Sequence, residues 1–143
     1  MNTTAENRAL VEGIFAELAR KNPRPFWEAM SDDVVWRAAG SSSWSRTFRG
    51  KASVLADLLT PVREQLVERV HLTLRRLVAD GDVVVVEASG QATTRTGRPY
   101  NNEYCFVYRL AGGKIVEVTE YNDTDLACST LVAPWSSAAA NPG

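Results

Sequence analysis

Leu10, Ile14, Phe15 and Leu18 recur at helical spacing while Glu6, Arg8, Glu12 and Glu17 take the opposite side. That is an amphipathic helix, capped at Thr4 and running to about Arg20. Pro23 and Pro25 interrupt the pattern, Phe26, Trp27 and Met30 resume it briefly, and Ser31-Asp32-Asp33 closes a short second helix. Val34 to Ala38 reads as a strand, followed by a polar loop from Gly40 to Gly50 whose aromatics, Trp44 and Phe48, suggest a lid. From Lys51 to about Glu68, Val54, Leu55, Leu58, Leu59, Val62 and Leu66 form one apolar stripe, with Pro61 tolerated only at a kink or break. Strands then follow over Val70 to Ala79, Val83 to Thr94, Glu103 to Leu110 and Ile115 to Asp123, separated by Asp80-Gly81-Asp82, a loop through Gly97-Arg98-Pro99, and Gly112-Gly113. Helices first and an antiparallel meander after them give an α+β fold class. Residues 134–143 lack packing periodicity and read as a tail beside a single domain over residues 1–133.

Composition narrows the function classes. The 143 residues, 45% hydrophobic, suit one domain with a real core. Sixteen basic against 17 acidic side chains leave a net charge of −1, and Arg75, Arg76, Arg95 and Arg98 are too scattered to track phosphates, so no nucleic-acid or anionic-membrane partner is expected. Cys105, Cys128 and the lone His71 form no metal-ligand or nucleophile–base spacing, so neither a zinc site nor Cys/His catalysis is expected. His71 shares its strand face with Thr73 and Arg75, a solvated or dimer-facing row. Asp123 and Asp125, around Thr124, read as a turn or cap. No signal-peptide pattern and no run of about 18 apolar residues occurs, which places the expected location in the cytoplasm.

Alternation in the last hairpin separates an aromatic face, Tyr104, Phe106, Tyr108 and Leu110, from Glu103, Cys105, Val107 and Arg109. A three-residue loop Ala111-Gly112-Gly113 would pair Tyr104 with Glu120, Phe106 with Val118 and Asn102 with Asn122. The inward face of the last strand is then Val116, Val118, Glu120 and Asn122. A two-residue turn would instead oppose Cys105 to Glu120 and set the aromatic face beside the charged one. The first register leaves a carboxylate and a carboxamide on an aromatic, β-branched face. Such a carboxylate must be hydrogen-bonded, protonated or in a wet pocket, unless it reaches solvent at the sheet's end.

The order of elements, the segment Thr96-Gly97-Arg98-Pro99 and the stretch from Tyr104 to Asp123 with its Gly-Lys-Ile-Val-Glu hairpin resemble the SnoaL-like and ketosteroid-isomerase-like families of the nuclear-transport-factor-2-like superfamily. The resemblance spans roughly Glu6 to Asp125. It implies helices packed on a strongly curved sheet, a cone around one small-molecule pocket. The tyrosine, aspartate base and second acid of ketosteroid isomerases match Ile14, Ala38 and Phe106, so those roles are missing. The positions used by limonene-epoxide-hydrolase-like enzymes match Trp36, Ala38, Ser89, Glu87 and Glu120, of which the last acid is retained. SnoaL-type cyclases also match at Glu120, but carry a histidine where this chain has Phe106. The resemblance turns Glu87, Ser89 and Gln91 toward the pocket, whereas periodicity alone favours burying Val84, Val86, Ala88 and Ala92 on the other face.

The expected site therefore holds Glu120 and Glu87 as catalytic acids, with Trp36, Trp44, Ser89, Gln91, Tyr104, Phe106, Tyr108, Val118 and Asn122 binding substrate. Two carboxylates in one apolar pocket would push their pKa values apart and suit cofactor-independent isomerase, cyclase or hydrolase chemistry on a small apolar substrate. A non-catalytic binding module on the same pocket is the alternative, and a protein–protein module using the outer sheet face is a third. Cys105, Val107, Ile115, Thr119 and Tyr121 on the outer sheet face suggest a homodimer.

Overall fold

The computed structural model describes residues 3–135. Helix α1 (Thr4–Ala19) is capped by Thr3, one residue before the expected cap, Thr4. The Thr3 side chain accepts from the Glu6 amide, and Glu6 reaches back to the Thr3 amide in a capping box. Val11, Ile14 and Phe15 face the sheet, and Asn7, also buried, donates to the Gly81 carbonyl at 2.9 Å, tying the helix to a distant turn. Helix α2 (Arg24–Ala29) leads directly into β1 (Met30–Ala38). The segment read as a polar loop contains a short strand, β2 (Thr47–Arg49), paired antiparallel with β1.

The helical stretch after Gly50 shows how the chain accommodates Pro61. Between α3 (Lys51–Ser53) and α4 (Thr60–Glu64), Val54–Leu59 widens into a π-helical turn in which the Thr60 amide donates to the Leu55 carbonyl. Proline can neither donate to the preceding turn nor fit against its carbonyl, and a widened turn relieves both constraints. The widening also rotates the expected stripe. Val54, Leu58 and Leu66 are buried, while Leu55 is exposed to solvent.

Strands β3 (His71–Asp80), β4 (Val83–Gln91), β5 (Glu103–Ala111) and β6 (Lys114–Asn122) complete one six-stranded mixed sheet of order β2-β1-β6-β5-β4-β3. All neighbours are antiparallel except β1 and β6. The sheet is open, and α1 packs across β3 and β4. Asp123, read as a turn or cap, caps a helix not foreseen from the sequence, α5 (Thr124–Thr130), by accepting from the Leu126 amide.

The last hairpin departs from the expected register in an instructive way. Ala111 pairs with Lys114 across a two-residue turn, with Gly112 and Gly113 both at positive φ. By itself this turn would bring Cys105 opposite Glu120. A bulge intervenes: Leu110 faces Ile115 but Arg109 faces Glu117, leaving Val116 as the extra residue. Beyond it Tyr108 pairs with Val118, Phe106 with Glu120 and Tyr104 with Asn122. The aromatic face and Glu120 thus share one side, as expected, by a different route. The correction falls on Ile115, which is fully buried rather than part of the outer face, and on Val116, which is only half-buried.

Candidate functional site

The site is a cavity of about 230 Å³ between the concave sheet face, α1, α2 and the segment from Leu58 to Val70. Its wall on β5 is a ladder of rings: Tyr104 stacks on Phe106 at 5.3 Å and Phe106 on Tyr108 at 5.7 Å between centroids. Alternate residues of a strand point to the same face, so three aromatics at spacing two form such a ladder automatically. Phe15 from α1 backs Phe106 and Tyr108, and Trp36 from β1 meets Phe106 edge-on at 6.3 Å. Gly90 makes room for the first ring. A Cβ there would stand 2.7 Å from Tyr104 Cε2 and 2.8 Å from Val70 Cγ1.

Glu120 enters this apolar surround from β6. The parallel register sets Trp36 beside Val118 and Ala38 beside Glu120, so the indole lies one step along the same face and its Nε1–H donates to Glu120 Oε1 at 3.0 Å. The Asn122 amide, two residues along β6, donates from Nδ2 to Oε2 at 2.9 Å. Glu120 as a residue keeps some surface, because the cavity reaches it, but its carboxylate is enclosed by protein. Burial raises its pKa above the ordinary glutamate value, and the two donated hydrogen bonds offset only part of that. Among the described ion pairs none includes Glu120.

Three phenols share the cavity with this acid. Tyr100, Tyr104 and Tyr108 all line the cavity, and burial, with a smaller contribution from the Glu120 charge, raises the pKa of each, well above the usual value for Tyr104 and Tyr108. They are neutral donors at any working pH. Tyr100 is held by Asn102, whose Nδ2 reaches the phenol oxygen at 3.1 Å and the Asp123 carbonyl at 3.2 Å, while its Oδ1 accepts from the Glu103 and Asp123 amides. Asn102 is buried and thereby fixes the segment leading into β5. Sequence reasoning left Tyr100 out of the site, because it follows Pro99 in a segment read as loop. The spacing Tyr100-x-Asn102-x-Tyr104 was the available signal.

Of the expected site residues, Trp36, Tyr104, Phe106, Tyr108 and Glu120 line the cavity, and Asn122 reaches it through the Glu120 carboxylate. Val118 is buried in the core beside them. Glu87 does not join Glu120. It lies on the opposite sheet face, paired with Arg76 at 2.6 Å, and that hydrogen bond lowers its pKa. Ser89 shares the outer face and Gln91 is exposed. Val84, Val86, Ala88 and Gly90 are the buried side of β4, so simple periodicity describes this strand correctly. Trp44 is no lid over the cavity. It is buried away from it, donating to the Leu131 carbonyl and packing edge-on against Trp135. Trp135, assigned to the tail, also packs on Phe48, stacks under the Arg46 guanidinium at 4.0 Å and donates to the Ser43 carbonyl at 2.6 Å. The remainder of the expected tail, residues 136–143, lies outside the described residues. His71 is half-buried and its Nε2 lies 3.1 Å from the Ala19 carbonyl, so it is not simply solvated. Among the described residues there is no cluster of three or more metal-ligating side chains, and no helix is long and apolar enough to cross a membrane.

Comparison with known proteins covers most of the chain. An NTF2-like protein from Burkholderia pseudomallei is 21% identical and superposes with a TM-score of 0.74, covering 89% of this chain and 98% of that one. A protein from Jannaschia sp. CCS1 assigned to the SnoaL-like polyketide cyclases is 19% identical, with a TM-score of 0.74 and coverage of 94% and 96%. TerC, crystallised with polyporic acid, is 20% identical, with a TM-score of 0.72 and coverage of 87% and 96%. At such identities the likeness shows the fold. No curated protein matches the sequence. The SnoaL-like domain profile matches residues 11–118, ending two positions before Glu120. With most of its length inside that match and the NTF2-like architecture around it, the chain belongs to the SnoaL-like domain family.

Proposed function

We propose that the chain is a cofactor-independent enzyme that moves a proton on a small apolar or aromatic substrate, with Glu120 as the proton-transferring base or acid. One observation carries this reading: a carboxylate enclosed in an aromatic cavity, hydrogen-bonded by two neutral donors and joined to no cation among the described residues. A stabilising role would call for a counter-ion or solvent, since desolvating a carboxylate costs several kcal/mol, about the same order as a small domain's whole stability. The same desolvation makes it a stronger base when ionised and an available acid when protonated. Trp36 and Asn122 orient the carboxyl oxygens, and the phenols of Tyr100, Tyr104 and Tyr108 are the neutral donors placed to hold an oxygen that gains charge as the proton leaves carbon. That TerC, a protein of this fold, was crystallised with polyporic acid supports a small-molecule reading.

The reading is tested with 5-nitrobenzisoxazole. A base that removes its ring C–H proton breaks the N–O bond and releases a coloured cyanophenolate, with no cofactor or further reactant. The protein should accelerate this opening above the rate of acetate at equal concentration, and Glu120→Gln should abolish the acceleration. A rate unchanged by Glu120→Gln would assign the cavity to binding without proton transfer.

A further inference from the structure

Resting on the reading of the cavity as a substrate site, we infer that the substrate is an amphipathic anion. Its ring body occupies the Glu120 cavity and its acidic group points outward between Arg63 and Arg69. An outer groove of about 750 Å³ adjoins the inner cavity, and the residues lining both are Leu18, Pro23, Arg63, Arg69 and Val70. The neck between them is therefore apolar apart from two guanidinium groups.

The groove adds Lys21, Glu68 and His71 to that neck. Lys21, Arg63 and Arg69 thus face one carboxylate, Glu68, in a chain whose net charge is −1. Glu68 is engaged by Lys21 at 3.8 Å, with both side chains more than 70% exposed. Neither Arg63 nor Arg69 belongs to a described ion pair. Arg63 is half-buried and spends one donor on the Leu66 carbonyl at 3.1 Å, which fixes the guanidinium at the neck and leaves the rest of its planar fork for a carboxylate or enolate.

Charge is thus ordered along the cavity: arginines at the neck, aromatic walls in the middle, and an acid at the far end. An anionic head could not sit at the inner end beside Glu120 without like-charge repulsion, and at the neck it meets opposite charge. The same ordering directs the uncharged end of the substrate, with its acidic C–H, toward Glu120.

The test compares 1-naphthylacetate with 1-naphthylacetamide, which share ring and shape and differ in charge, by fluorescence titration of the full chain near neutral pH and low salt. The naphthylacetate should bind about tenfold more tightly, the factor of one charge-assisted contact. That preference should shrink to about twofold in Arg63→Gln/Arg69→Gln and fade in high salt. Arg69→Gln alone, which breaks no described ion pair, should cost about threefold and guards against a folding defect in the double variant. Glu120→Gln should retain the preference for the anion. Loss of proton transfer with that preference intact would sink only the catalytic reading. Equal affinity for the two probes, no saturable binding of either, or a preference untouched by the double substitution would overturn the anionic substrate.

Discussion

Replacing Trp36 by phenylalanine keeps an aromatic ring against Phe106 and removes the indole donor that reaches Glu120 Oε1 at 3.0 Å. The packing loss from indole to phenyl is the same at every pH. The hydrogen bond is not, since one to an ionised group contributes about 1.5–3 kcal/mol and one between neutral groups about 0.5–1.5 kcal/mol. Because that bond lowers the Glu120 pKa, removing it raises the folded-state value further above the unfolded one. The folded variant then holds its proton to higher pH than the wild type, so its stability deficit grows as pH rises through the wild-type folded pKa. Urea unfolding of both proteins from about pH 4 to pH 8 should show a destabilisation about 1 kcal/mol larger at the upper end. The excess should vanish in a Glu120→Gln background. A deficit constant across pH, or larger in acid, would refute the geometry proposed for this pair.

Gly90→Ala should cost about 1–3 kcal/mol and displace Tyr104 from its stack, because the new methyl meets a ring on one side and Val70 on the other; a crystal structure of the variant and its melting curve check this together. Trp135→Ala should destabilise by about 2 kcal/mol, lowering the melting temperature by several degrees, since it strips a ring from Trp44 and Phe48 and a hydrogen bond from Ser43. The outer sheet face, where Tyr121 is exposed among Cys105, Val107 and Thr119, is expected to pair two copies, and light scattering at micromolar concentration should give a dimer mass rather than a monomer mass.

The fold was legible where periodicity is local and unbroken. The α1 stripe, the apolar alternation of β4 and the aromatic alternation of β5 each follow from one strand or helix read alone. What the sequence concealed depends on contacts between elements. The β5–β6 register needs both a two-residue turn and the bulge at Val116, and side-chain alternation registers only their combined effect on parity. Glu87 was turned inward by family likeness against its own strand's pattern, and Arg76 on the adjacent strand is the partner that keeps it out. Trp135 follows a short helix in a segment without periodicity, so nothing local reveals its docking on Trp44. Within the site, Glu120 stood out as an acid on an apolar face, while Tyr100 and Asn102 lie in irregular chain where no period identifies an inward residue.

The central claim is that Glu120 is an enclosed carboxyl group whose burial outweighs the hydrogen bonds it accepts. Carbon-13 NMR of the glutamate side-chain carboxyls, with the Glu120 resonance assigned by its loss in Glu120→Gln, measures its titration directly. The account predicts a midpoint above the ordinary value of 4.5. Linked to it, wild-type stability should fall relative to Glu120→Gln as pH rises from the unfolded pKa through that midpoint, since a raised folded pKa stabilises only while the proton is held. A midpoint at or below 4.5, with no pH-dependent gap between the two proteins, would contradict it.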